Sequence, residues 1–263
     1  MEIGLRSPLL DYFKRGEVAK DVRLLAASGA LAPRAHEQVA LLAILTEDAD
    51  PEVRGAAEAT LASIPAESLS GFLGRSDVSE GLRDFFRGRG IEPTLGGVAG
   101  DDPLVDTDPG PGAEGDIAEG EDGDATRDSA SQRLGQMNVA ERMKAAMKGS
   151  KEERSILIRD PNKLVSSSVL SSPKLSESEV ESFAKMANVS EEVLRIIGMN
   201  RAWVKNYGVI VALTKNPKTP LAVSMHFVQR LNDKDLKMIA LDRNLQEPLK
   251  LAVRKRLTSP DKK

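Results

Sequence analysis

The sequence predicts an all-α protein in which two α-solenoid-like helical-repeat segments are joined by a disordered acidic linker. Three observations lead to this prediction. Aromatic residues make up only 3% of the chain, so the core must come from aliphatic and Met side chains, which suit closely packed helices. Apolar residues recur at helical spacing on both sides of a stretch rich in Gly, Pro, Asp and Glu. The second half also repeats itself at a spacing near 42 residues.

The acidic stretch divides the chain into three predicted parts. Residues 1–93 are predicted to form an N-terminal helical-repeat domain, 94–130 the linker and 131–263 a basic C-terminal helical-repeat domain. The linker carries one Arg against 11 Asp and Glu, without helical or strand periodicity. Such a segment buries too little apolar surface to offset its ordering entropy, so we expect it to be disordered. Repulsion between its charges should keep it extended.

Short amphipathic helices are predicted before the linker. Val39 and Leu42 lie at helical spacing in one of them. Asp50 is suited to cap the next, because Pro51 follows it in the first turn, where a proline costs no hydrogen bond. Helices this short are stable only when their apolar stripes pack against neighbours.

Stronger helix-start signals follow the linker. Two of them combine a capping side chain with an acidic residue three positions later, one combines a cap with a proline, and one is a capping residue alone. The predicted starts are Asn138, Ser150 with Glu153, Ser176 with Glu179, and Thr219 followed by Pro220.

Basic residues mark the internal repeat of the C-terminal part. Arg159, Arg201 and Arg243 are each 42 residues apart, and Arg195 and Lys237 share this spacing. A period of roughly 40–47 residues filled by helices and turns is typical of an α-solenoid of helix pairs. Propeller blades share this period, but they are built from strands and are rich in aromatic residues. This chain has few aromatic residues, and its repeat is filled by predicted helices.

Two short motifs carry a resemblance to known repeat families. The run from Asp50 to Ala57 (DPEVRGAA) resembles the entry to the second helix of HEAT-like repeats, and the run from Asn216 to Pro220 (NPKTP) resembles the turn of leucine-rich-repeat-variant modules. Residues 133–257 further resemble an uncharacterised bacterial family with helical repeats. The resemblance implies a binding surface and names no ligand. Some leucine-rich-repeat-variant proteins hold an iron–sulfur cluster on cysteines, and a chain without Cys cannot share that cofactor.

Composition narrows the chemistry further. The absence of Cys excludes disulfides, thiolate metal sites and cysteine nucleophiles. The start of the chain lacks an apolar run with a cleavage site, and no window approaches the ~20 apolar residues of a membrane span, so we expect a cytoplasmic protein without a membrane partner.

Catalytic and metal-binding patterns are weak. His36 and His226 have no acidic residue or second His three or four positions away, whereas a metal site needs three or four convergent ligands. We therefore expect both to be ordinary surface side chains. Phosphate-binding loops and nucleophile–base pairs are not recognisable, so the chain is expected to be no enzyme and to hold no cofactor.

The candidate binding residues are basic and lie in the C-terminal part, where 25 Lys and Arg face 14 Asp and Glu. The repeated arginines either complement the negative ends of helices or line one face that binds an anionic partner. The sequence favours an interaction scaffold that binds another protein, with nucleic-acid binding through the basic part as the alternative. Cations gathered in one groove would favour nucleic acid, and an exposed apolar patch would favour protein. The candidate residues are Arg159, Arg195, Arg201, Lys237, Arg243, Lys250 and Arg254.

Overall fold

A computed structural model describes residues 7–32, 34–94, 100–105 and 123–258. This described part contains sixteen α-helices, two 3-10 turns and no strand, which confirms the predicted all-α class. The chain divides into two compact units. The first unit is Met1–Arg154 with Ser171–Pro173, and the second unit is Ser155–Leu170 with Lys174–Lys263. The predicted domain bounds at residues 93 and 130 stay a prediction.

The helix α3 forms the centre of the first unit. It packs against α1, α2, α4 and α6, and its side chains are buried along almost its whole length, including Val39 and Leu42. Farther along the chain, α8 packs against α2. The helices of this unit are α1 (Pro8–Lys14), α2 (Lys20–Ala27), α3 (Ala35–Leu45), α4 (Pro51–Ser63), α5 (Ala66–Leu73), α6 (Glu80–Arg87), α7 (Gly123–Gln136) and α8 (Val139–Lys148).

The helices of the second unit pack in two alternating rows. One row runs α10, α12, α14, α16 and the other α11, α13, α15, each helix packing against the next in its row. The rows advance by 26 to 30 residues, as the helix starts at 191, 221 and 247 and at 177, 207 and 233 show. After α9 (Lys151–Leu157), which spans the division between the units, the helices are α10 (Lys163–Val169), α11 (Glu177–Lys185), α12 (Glu191–Met199), α13 (Tyr207–Lys215), α14 (Leu221–Phe227), α15 (Asp233–Leu241) and α16 (Glu247–Thr258), with 3-10 turns at Trp203–Lys205 and Val228–Arg230.

Most predicted helix starts are confirmed at the atomic level. The Asp50 carboxylate accepts a hydrogen bond from the Glu52 amide at 2.9 Å. The reciprocal side-chain bonds of a capping box form at Asn138 and Ser176, and the same pair of bonds joins Ser150 and Glu153. Local sequence decides these contacts, because a capping side chain reaches only two or three residues along the chain.

The predicted cap at Thr219 is wrong. Pro220 occupies the capping position of α14, without a side-chain hydrogen bond. The Thr219 amide instead donates to the carbonyl of Asn216 at 3.0 Å, and its side chain is buried. The turn directs this threonine inward, where it cannot reach the free amides of the helix.

The predicted linker contains ordered structure at both of its described ends. Helix α7 begins at Gly123, inside the predicted linker, and buries Ala130 and Leu134 one helical turn apart. Residues 100–105 lie against the first unit, and the Ala35 amide donates to the Asp101 carbonyl at 3.0 Å. The remainder of the predicted linker, at 95–99 and 106–122, lies outside the described residues.

A buried asparagine joins two helix ends in the second unit. The side-chain amide of Asn216, after α13, donates to the carbonyls of Ala184 at 2.8 Å and Met186 at 2.9 Å, at the end of α11. Its side-chain oxygen accepts from the Lys218 amide at 3.0 Å. The residue thus satisfies two carbonyls that α11 leaves unpaired where it ends.

Candidate interaction surfaces

The seven predicted binding residues fall into two groups. Four are engaged within their own segment. Arg195 pairs with Glu192 at 2.5 Å, Lys250 with Glu247 at 2.7 Å and Arg254 with Glu247 at 3.5 Å, while Arg159 Nε donates to the Ser155 carbonyl at 3.1 Å. The other three, Arg201, Lys237 and Arg243, have exposed side chains.

The repeated arginines Arg159, Arg201 and Arg243 do not follow the packing of the helices. Arg159 comes after α9, Arg201 after α12 and Arg243 after α15, so each step of 42 residues spans three helices. Because the rows alternate with every helix, Arg201 and Arg243 follow helices of different rows. A shared interval along the chain therefore does not place these two cations at equivalent positions. For Arg159, the bond to a carbonyl at the end of its own helix matches the structural role considered above.

A groove of about 430 Å³ opens along α11, α13 and α15. Its charges are balanced, because Glu181 pairs with Lys185 at 2.6 Å and Asp235 with Lys215 at 2.9 Å. The Tyr207 hydroxyl donates to the second oxygen of Asp235 at 2.7 Å. Partial burial works against ionisation of Asp235, yet the hydrogen bonds from Lys215 and Tyr207 hold its pKa below the ordinary value. The groove therefore lacks the excess of cations that a phosphate backbone requires.

Apolar side chains are exposed on both rows, and Tyr207, Met238 and Leu241 lie on the row of the groove. Among the described residues, all six exposed large apolar side chains lie in the second unit, between residues 199 and 251. Met225 and Leu251 are the fifth residues of α14 and α16, which pack side by side, and they are 40% and 58% exposed. Met199, the last residue of α12, is also exposed. We call these three residues the apolar face.

The two histidines differ in their surroundings. His226 is exposed, as expected, but the expectation of a surface position is wrong for His36, which is 8% exposed and meets the edge of the Phe72 ring. Its Nδ1 lies 3.7 Å from an Asp77 oxygen. Burial lowers the pKa of His36 although the nearby Asp77 charge raises it. Within the described residues, no cluster of three or more His, Asp or Glu side chains could hold a metal ion.

Sequence reasoning missed one further surface. It lies at the start of α3, where Gln38 and Arg75 hold residues 100–105. The signal was the polar run His36, Glu37 and Gln38 at the start of a helix that is otherwise apolar, because a buried amide there must find partners from another part of the chain. Assigning the whole of 94–130 to a linker hid those partners.

No protein-family model, curated protein or solved structure matches this chain. None of the helices in the described ranges is long and apolar enough to cross a membrane.

Proposed function

We propose that this chain is a non-enzymatic interaction scaffold whose second unit binds a partner protein. The apolar face on α12, α14 and α16 carries the proposal. Exposed apolar side chains are common singly, but a group of them on neighbouring helices marks an interaction site. Met199, Met225 and Leu251 recur at intervals of 26 residues, and the last two occupy the same position in adjacent helices.

The packing of the second unit supports an α-solenoid as the framework of this scaffold. Each helix contacts the one two places along the chain, so a row of helices presents one continuous surface. In solenoids such extended surfaces bind partners. Arg195 and Arg254 lie close to Met199 and Leu251 along the chain, but they are paired with Glu192 and Glu247, so the apolar side chains are the main contact surface. The partner we propose is a protein that presents apolar side chains of its own.

Nucleic-acid binding is the second candidate. It is supported by the excess of Lys and Arg in residues 131–263 and by the exposure of Arg201, Lys237 and Arg243. Against it stand the paired state of Arg195, Lys250 and Arg254 and the balanced charges of the groove. Binding through phosphates would weaken steeply with salt, whereas contact through the apolar face would change little.

The test compares three double variants of the tagged full chain in a native lysate that is divided into nuclease-treated and untreated halves. M225E/L251E places charges on the apolar face, Q229E/Q246E adds the same charge at exposed polar positions, and R201E/R243E removes two exposed cations. We expect M225E/L251E alone to lose a protein that the wild-type chain retains. If binding is lost on nuclease treatment or in R201E/R243E, and M225E/L251E retains it, the result would support nucleic-acid binding and overturn the scaffold proposal. Identical capture by all variants would overturn both.

A further inference from the structure

Residues 100–105, with the sequence Gly-Asp-Asp-Pro-Leu-Val, occupy a cleft in the first unit. We call them the strap. The cleft is formed by the start of α3, the turn at Gly29 and the side chain of Arg75. Six hydrogen bonds hold the strap, and they involve only its first two residues and its last one.

The first anchor is Asp101 at the amino end of α3. Arg34, the residue at the capping position, makes no side-chain hydrogen bond to the helix. Asp101 takes over this role, because its carbonyl accepts from the Ala35 amide at 3.0 Å and its carboxylate from the His36 amide at 3.4 Å. Arg75 donates to the same carboxylate at 3.3 Å and to the Gly100 carbonyl at 2.6 Å. Arg75 also donates to both oxygens of Asp77, from Nε at 2.9 Å and from Nη2 at 2.6 Å, so Asp101 shares this guanidinium with Asp77. The site thus joins a helix amino terminus to a shared guanidinium, and both favour an anion.

The second anchor is the side-chain amide of Gln38. Its oxygen accepts from the Val105 amide at 3.0 Å, and its nitrogen donates to the Val105 carbonyl at 3.3 Å. The same nitrogen donates to the Gly29 carbonyl at 2.8 Å. Gln38 therefore pairs with main-chain groups in the manner of a neighbouring β-strand, and this contact is open to many peptide sequences.

Gln38 is buried with the strap in place. The residue is 1% exposed and belongs to a helix whose neighbouring residues are buried. Departure of the strap would leave its side-chain oxygen without the Val105 partner until water or another segment replaces that bond. Gly29 limits what fits there, since a Cβ at this position would lie 3.1 Å from the Val105 Cβ. The position opposite Gly29 therefore suits a small apolar side chain.

We propose that this cleft is a binding site for extended acidic peptides, and that the strap is its intramolecular occupant. A competing segment needs a carboxylate and, four residues later, a small apolar residue with a free backbone amide. The strap is readily displaced for two reasons. Asp102 is exposed, and the other side chains of the strap are only half-buried. The entropy lost when six residues become ordered also offsets much of the free energy that six hydrogen bonds contribute. The site lies on the first unit and is independent of the proposed function of the second.

The test uses the full chain and a fluorescein-labelled peptide with the sequence of residues 100–105. D101A/V105P removes three of the six hydrogen bonds of the strap, two at the Asp101 carboxylate and one at the Val105 amide, and leaves the residues that form the cleft unchanged. We expect the peptide to bind this variant at least ten-fold more tightly than the wild-type chain in fluorescence anisotropy. Adding Q38A should abolish binding, and a peptide with alanine at the first Asp should bind at least ten-fold more weakly. Failure of a helical, folded D101A/V105P chain to bind the peptide would overturn the proposal.

Amide hydrogen exchange of the wild-type chain gives a second readout that needs no vacated cleft. Excess unlabelled peptide should accelerate exchange at Val105 in proportion to its occupancy, while the peptide with alanine at the first Asp should not. D101A should bring fast exchange at Val105 without added peptide, whereas D102A should exchange like wild type, because Asp102 is exposed. Protection at Val105 that no peptide concentration changes would assign the strap a purely structural role. Neither readout depends on the apolar face.

Discussion

The two units use similar short helices but treat their surfaces differently. The first unit covers helix ends and grooves with non-helical chain, as the strap shows, and binds its arginines in ion pairs such as Arg23–Asp48 and Arg89–Glu58. The second unit stacks helices in regular rows and leaves Met225 and Leu251 exposed. Regular stacking covers only the faces that neighbouring helices share, so the outward faces stay open to a partner. Irregular packing can cover such faces with other parts of the chain.

The largest expected effect tests the regular stacking itself. N216A should lower the free energy of unfolding of the second unit by about 2–4 kcal/mol, because two buried carbonyls and one amide lose their partners. N200A is the matched control, since the Asn200 side chain accepts from the Ala202 amide at a less buried turn, and it should cost about 1 kcal/mol. Urea unfolding followed by the fluorescence of Trp203, the single Trp, measures both. Equal losses would mean that Asn216 does no more than cap a turn.

The second effect tests the dependence of the first unit on charge pairing. Arg23 donates to both oxygens of Asp48 at 2.7 and 2.8 Å, and the Asp48 side chain is 8% exposed. R23A should destabilise the unit by about 1–3 kcal/mol, because it leaves a buried carboxylate without its cation. R87A removes an arginine paired with exposed Glu80 and Asp84 and should cost no more than about 0.5 kcal/mol. Calorimetry of the full chain distinguishes them, and an R87A loss as large as that of R23A would contradict the role of burial.

A smaller effect is expected from pH. Burial raises the pKa of Glu37, although the hydrogen bond from the Ser7 hydroxyl and the charge of Arg34 oppose the shift. The folded state therefore holds this proton more tightly than the unfolded state, so stability from this group is lost as pH rises through the folded pKa. The melting temperature of E37Q should rise relative to that of wild type as the pH increases from 4 to 8. The first value lies near the ~4.3 reference pKa of Glu and the second lies well above it. A difference that stays constant over this range would contradict the shift.

The smallest effect is expected at the apolar face. M225Q/L251Q should change stability by no more than about 0.5 kcal/mol, because both side chains are already exposed to water, by 40% and 58%. L249A, at a buried position on the same helix as Leu251, should cost about 2–5 kcal/mol. Urea unfolding of wild type, M225Q/L251Q and L249A measures these changes in stability. A loss on the scale of L249A from M225Q/L251Q would mean that these residues belong to the core, and the contrast between the units would fail.

Much of the local structure could be predicted from the sequence. The helix starts at Pro51, Val139 and Glu177 follow from residues within one turn of each cap. The missed helix that begins at Gly123 had a different signal, the apolar pair Ala130 and Leu134 one turn apart, but the surrounding acidic composition outweighed it. Composition describes an average over a segment, whereas a helix needs only one buried stripe.

The candidate surfaces were harder to predict. The 42-residue spacing of Arg201 and Arg243 indicated equivalent positions, yet the packing alternates with every helix. The apolar face escaped notice because Met225 and Leu251 resemble core residues in the sequence. Only the packing of neighbouring helices decides which apolar positions of a helix are covered.

The sequence by itself determined the helical class, the local capping contacts such as those of Asp50 and Ser176, and the charge of each segment, because these depend on composition and on neighbours a few residues away. The tertiary structure alone decided that Asp101 reaches the start of α3, that Gln38 pairs with Val105 and that the apolar face is exposed. The physical reason is that a hydrogen bond or a buried surface joins groups by distance in space. Residues 38 and 105 are far apart along the chain, and no local pattern encodes their contact.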